Sequence, residues 1–134
     1  MCTSSRTTIL VLCLSWALFS LPAYAIDLNG GWASDASVCN KIFVKKNSRL
    51  SIASDADTYG SGVIFEGNKI RGKIATCEIK TRKEEAGVLH MIGVCSDDVA
   101  LSTVQFSVKI ENENKITRIY PGVPELSVSY VRCP

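Results

Sequence analysis

The chain is predicted to be all-β: a small antiparallel up-and-down β-barrel of about eight strands, braced by disulfides. Three observations predict it. From Ile26 onward, apolar residues alternate with polar ones far more often than they recur at helical spacing, and turn residues interrupt the pattern about every 8 to 12 positions. Four cysteines, Cys39, Cys77, Cys95 and Cys133, are spread over the same stretch. Many antiparallel strands in one short domain must satisfy their edges, and closure into a barrel does this best. The rival is a sandwich of immunoglobulin type, which calls for a Trp between two bridged cysteines; here Trp32 precedes all four.

The chain opens on an export signal. Ile9 to Leu21 form a short apolar run behind Arg6 and before Ala23-Tyr24-Ala25, whose small residues suit a secretory peptidase, so residues 1–25 are expected to be removed and the mature domain to span 26–134. The run is too short to span a membrane, and no membrane association is expected after cleavage. Cys13 follows Leu12, where a lipidation signal needs a small residue, so lipidation is rejected. The expected location is periplasmic or secreted, an oxidising setting in which an even number of cysteines reads as disulfides. The remaining 109 residues suffice for one domain of narrow stability margin.

The elements follow in order. Ser34-Asp35-Ala36-Ser37 offers a capped turn or two of helix. Ile42-Phe43-Val44 and Leu50-Ser51-Ile52 make a first hairpin about Asn47-Ser48, and Val63-Ile64-Phe65 with Lys69 to Ala75 a second about Glu66-Gly67-Asn68. Cys77 to Lys83 and Leu89 to Cys95 make a third, turning near Glu84 to Gly87. Ser96-Asp97-Asp98-Val99 offers a second short helix. Val104, Phe106, Val108 and Ile110 alternate cleanly and turn through Glu111 to Asn114 into Ile116 to Tyr120. After Pro121-Gly122-Val123-Pro124, Leu126 to Val131 form the last strand, for eight or nine strands in all.

Four cysteines permit three pairings. The third hairpin sets Cys77 opposite Cys95 and thereby favours that bridge, leaving Cys39 with Cys133. Loop-closure entropy assigns the short bridge about 3 kcal/mol and the long one about 4.5 kcal/mol. Zinc ligands gather as close pairs, which these cysteines do not, so no metal or other cofactor is expected.

Leu28-Asn29-Gly30-Gly31-Trp32, at the start of an exported β chain, resembles the Gly-x-Trp opening of lipocalin-like barrels and the Leu-x-Gly-x-Trp opening of bacterial proteinase-inhibitor barrels, both of calycin type. The resemblance implies that Trp32 packs at the closed end of a barrel beneath a basic residue of a late strand, for which Arg132 is the candidate. It covers five residues and the architecture. The inhibitor family has a single disulfide and a longer segment before its Gly-x-Trp, and this chain departs from both. As a whole the chain also resembles small exported proteins of alphaproteobacteria, a likeness that implies no activity.

No catalytic constellation stands out. His90 is the sole histidine and sits on a strand with no evident Ser or Cys nucleophile beside it, so a structural role is expected. Asp55, Asp57, Gly60 and Glu66 match positions 1, 3, 6 and 12 of a calcium loop, but Tyr59 and Gly62 break it and a strand follows, which makes it a plain turn. Glu84-Glu85 and Asp97-Asp98 are adjacent acids that point apart, unlike a glycosidase pair. Without Arg6 the chain carries 14 basic and 13 acidic side chains, so neither Lys41, Lys45, Lys46 and Arg49 nor Lys80, Arg82 and Lys83 implies nucleic acid. Tyr120, Pro121, Gly122, Val123 and Pro124 form a stiffened loop, the candidate contact with a partner.

The expectation is therefore an exported, non-enzymatic binding protein, as a hydrolase inhibitor or another protein-partner module. The alternative is a carrier of a small apolar ligand, of lipocalin type. Core volume separates the two: strands of five to seven residues and seven aromatic side chains from Ile26 onward are expected to fill the interior.

Overall fold

The computed structural model describes residues 26–134, so the expected leader over residues 1–25 lies outside the described residues. The strands are β1 (Gly30–Ala33), β2 (Phe43–Lys46), β3 (Arg49–Ile52), β4 (Gly62–Glu66), β5 (Lys69–Arg71), β6 (Thr76–Glu85), β7 (Val88–Ser96), β8 (Leu101–Asn112), β9 (Lys115–Ile119) and β10 (Val128–Arg132). Eight of them close one antiparallel up-and-down barrel in the order β1-β10-β9-β8-β7-β6-β5-β4. Closure runs through β1, which pairs Trp32 with both Val63 and Arg132.

The hairpins form where turn chemistry allows. Asn47 and Ser48 both take positive φ, as a two-residue turn matching the twist of its strands requires. Ala86 and Gly87 do the same between β6 and β7. Register shifts at Ile79/Thr81 and Ile110/Asn112 bend the long strands around the barrel.

The strand count exceeds expectation by β1, and the expected first hairpin, β2–β3, forms a sheet of its own outside the barrel. A 3-10 turn (Ala36–Val38) and one turn of helix, α1 (Cys39–Ile42), lead into that hairpin, capped by Asp35, whose carboxylate accepts from the Ser37 backbone N–H. The second helix expected, at Ser96 to Val99, does not form. Asp97 instead accepts from the backbone N–H groups of Val99 and Ala100, both at 2.8 Å, and its own N–H bonds Ala100 O, which closes a tight turn.

Two apolar clusters lie on opposite sides of the β1–β4 wall. Inside the barrel, Trp32, Phe65, Ile70, Met91, Phe106 and Ile116 pack with the Cys77–Cys95 bridge. Outside it, Ala33 and Ile64 pack against Ile42, Phe43, Ala53 and Ala56 of the hairpin and its flanks. The alternation of β1 and β4 thus serves two cores. Close approach of the hairpin depends on glycine: a Cβ at Gly62 would lie 2.4 Å from Ile42 Cγ2, and one at Gly31 3.1 Å from Phe43 Cε2.

Polar contacts fix the hairpin as well. Arg71 grips Glu66 through Nη2 (2.6 Å) and Nε (3.0 Å) and donates to Leu50 O at 2.6 Å, while Arg49 reaches Glu66 at 3.1 Å. The two guanidinium groups hold the Glu66 carboxyl down to about 2. The Cys39–Cys133 disulfide joins the end of the chain to α1.

Candidate functional site

The meander divides the barrel ends by role. The β4–β5, β6–β7 and β8–β9 turns lie at the end where β1 begins; the longer β5–β6, β7–β8 and β9–β10 connections lie at the other.

The first end carries a clamp built on Arg132, beside a hollow of about 460 Å³ lined by Leu28, Asn29, Phe65 and Arg82 among others. Arg132, opposite Trp32 in the β1–β10 register, lays its guanidinium over the indole at 4.3 Å. Its Nε donates to Glu113 O (2.9 Å), its Nη1 to Asn29 O (2.7 Å) and its Nη2 to Asp27 O. One side chain therefore ties the segment before β1 to the β8–β9 turn. The indole N–H donates to Leu28 O at 2.8 Å, and Trp32 is fully buried.

The second end is open. It forms a bowl of about 370 Å³ whose wall includes Val63, Ile70, Ile74, Val104 and Tyr130, with the Cys77–Cys95 bridge on one side. Beneath it side chains fill the barrel, apart from a slot of about 40 Å³ against Phe65, Phe106 and Ile116. Lys73 and Arg118 are the charged side chains of the bowl's lining. Lys73 is paired with Asp57. Arg118, on β9 two residues after buried Ile116, stacks over Phe106 (5.0 Å) and Tyr120 (4.7 Å). Among the described residues no acid or carbonyl accepts from its guanidinium.

Apolar side chains crowd the rim. Ile74, Val99, Val123 and Leu126, from the β5–β6, β7–β8 and β9–β10 connections, and Leu101, at the start of β8, are exposed, and Val99, Ile74 and Leu101 are 93, 82 and 75% accessible. Loops of a monomeric protein carry polar residues as a rule, and an apolar rim marks a contact surface. The Tyr120–Pro124 loop belongs to this rim: Val123 N–H bonds Tyr120 O at 3.0 Å, Gly122 takes positive φ, and Pro124 starts a 3-10 turn, Pro124–Leu126.

The other candidates are dispersed. His90 has a serine beside it after all: its Nδ1 lies 3.0 Å from Ser107 Oγ on β8, directly opposite in register, a pairing invisible in the linear sequence. Ser107 is 1% accessible, so no substrate reaches its hydroxyl. Asp57 and Glu66 are occupied by Lys73 and by Arg71 and Arg49, and the 3-10 turn Ala56–Thr58 stands where the calcium-loop pattern began. Among the described residues no three His, Cys, Asp or Glu side chains gather to hold a metal ion. Glu84 and Glu85 lie on β6 and Asp97 and Asp98 in the turn after β7, at opposite ends of the barrel.

Arg118 and the apolar rim were missed by sequence reasoning. The signal for Arg118 was a charge in the inward phase of β9; that for the rim was Ile74, Val99 and Leu126 in connections.

These features define a class: a disulfide-braced, closed eight-stranded antiparallel barrel, consistent with a calycin-like fold. No protein-family model matches the chain, and no curated protein or solved structure matches it significantly. Its two disulfides are compatible with an extracellular or periplasmic setting. No helix among the described residues is long and apolar enough to cross a membrane.

Proposed function

We propose that this is an exported, non-enzymatic binding protein that docks a protein partner on the open end of its barrel. The observation that carries the reading is the apolar rim, in which Ile74, Val99, Val123 and Leu126 on three connections, and Leu101 at the start of β8, are brought to one end by the meander. A rim of this kind, around a rigid, disulfide-held support, provides the apolar centre a protein interface needs at little ordering cost. Hydrolase inhibition is one form of such docking, and the Gly30–Gly31–Trp32 opening, like that of bacterial proteinase-inhibitor barrels, supports it.

The carrier alternative calls for an open apolar cavity of several hundred cubic ångströms. The bowl, at about 370 Å³, has that size, but its lining mixes polar with apolar surface and includes Lys73 and Arg118, and the apolar slot beneath it is only about 40 Å³, which supports the partner reading over a lipocalin-type carrier.

The test is site-specific photo-crosslinking in producing cells. A cross-linker at Leu101 or Leu126 is expected to yield one discrete product that disappears when Ile74 and Val99 are changed to Asp, while a cross-linker at Ile92 on the barrel wall yields none. Equal capture from Ile92, or capture indifferent to the rim substitutions, overturns the reading. A stoichiometric small molecule found by native mass spectrometry favours the carrier instead.

A further inference from the structure

We infer that Arg118 is a carboxylate-binding subsite at the floor of the bowl, taking an acidic group borne next to apolar residues on a partner's chain. The inference rests on the docking reading above and adds the chemistry of what docks. Four observations converge on it.

The guanidinium has five N–H donors, and among the described residues none finds an acid or a carbonyl, so they are open to solvent and a bound carboxylate would gain charge-assisted hydrogen bonds from a group already partly desolvated by its surroundings. Phe106 and Tyr120 lie within cation–π distance of it at 5.0 and 4.7 Å, and such contacts hold the planar fork in place. The lining of the bowl contains no acid, and its other cation, Lys73, is engaged by Asp57. One fork with no second unengaged cation beside it suits a monoanion such as a carboxylate. The walls around it, Val63, Ile70 and Tyr130 among them, favour apolar groups flanking that anion.

The depth of the bowl decides the carrier of the carboxylate. Below Arg118 the slot of about 40 Å³ has room for about three water-sized groups, too little for a long alkyl chain to descend into the barrel. Val99, Leu101, Val123 and Leu126 are exposed but not part of the bowl's lining, so a ligand confined to the bowl leaves them uncovered, whereas a chain segment that extends beyond it can cover them.

The experiment is heteronuclear NMR on the disulfide-bonded protein produced from its full-length sequence, observing the Arg118 Nε–H and the methyls of Ile74, Leu101 and Leu126. The probes are acetyl-Leu-Phe-Val with a free carboxylate, the same peptide as its C-terminal amide, and decanoate. The peptide acid is expected to shift Arg118 and the rim methyls together and to bind about 10- to 100-fold more tightly than the amide. Arg118→Gln is expected to abolish that preference; the acid–amide comparison on the unaltered protein stands even where this variant folds poorly. Rim shifts with no preference for the acid overturn the carboxylate subsite and leave the docking reading intact. No shift at either place removes both. Binding of decanoate without the peptide overturns a partner chain as the source of the carboxylate.

Discussion

Replacing Arg132 is expected to loosen the closed end of the barrel while leaving the open end in place. The magnitude follows from what the side chain holds. Its guanidinium donates to three backbone carbonyls and stacks over Trp32 at 4.3 Å. Charged hydrogen bonds contribute about 1.5 to 3 kcal/mol when well buried, and because Arg132 is only partly buried about 1 kcal/mol each is the reasonable figure. The ring contact adds about 0.5 kcal/mol or more. Arg132→Met keeps the stem over the indole but loses every donor, for an expected cost of about 3 kcal/mol. Arg132→Lys keeps the charge, yet a single ammonium cannot span Asp27, Asn29 and Glu113, so about 2 kcal/mol is expected. Urea unfolding at neutral pH measures both, with Trp32 as the probe, the one tryptophan from Ile26 onward and fully buried in the folded state. The Met variant is also expected to shift native Trp32 emission to the red. A Lys variant within about 0.5 kcal/mol of the parent, or a Met variant with unshifted emission, would refute the clamp.

Two further outcomes are expected. Gly62→Ala places a methyl 2.4 Å from Ile42 Cγ2 and 2.9 Å from Phe43 Cζ, so a loss of about 2 kcal/mol is expected, larger than for Gly31→Ala; denaturant midpoints of the two variants in the wrong order would remove the explanation. Glu66 has a folded-state pKa below its unfolded value, so its contribution is complete above about pH 4.5 and is lost as pH falls toward about 2. With a third of the Glu66 side chain exposed, screening limits that contribution to about 1 kcal/mol. Glu66→Gln should flatten the stability profile over this window, and an unchanged profile contradicts the assignment.

How much of this was legible in the sequence depended on the range of the interaction. Strands and hairpins were readable because alternation and turn chemistry are local: Val104, Phe106 and Val108 announce β8, and Asn47-Ser48 announces the turn between β2 and β3. The Cys77–Cys95 bridge was readable because it lies within one hairpin. The separate β2–β3 sheet was not, since it depends on Gly31 and Gly62, residues far apart in sequence that meet the hairpin only once β1 and β4 have paired. The His90–Ser107 pair required the β7–β8 register. Arg118 left a trace, a cation in the inward phase of an apolar strand, but its unmet donors are a property of three dimensions. The rim likewise needed the topology, which gathers apolar residues from three scattered connections at one end.

The clamp at Trp32 and Arg132 also bears on how such a molecule can change. The Arg132 clamp sits at one pole, and the most exposed apolar side chains, Val99, Ile74 and Leu101, sit at the other, with the Cys77–Cys95 staple between the rim and the barrel floor. Substitutions in the three long connections are thereby insulated from the elements that keep the chain folded. A lineage built this way is free to revise what it meets without renegotiating how it stands.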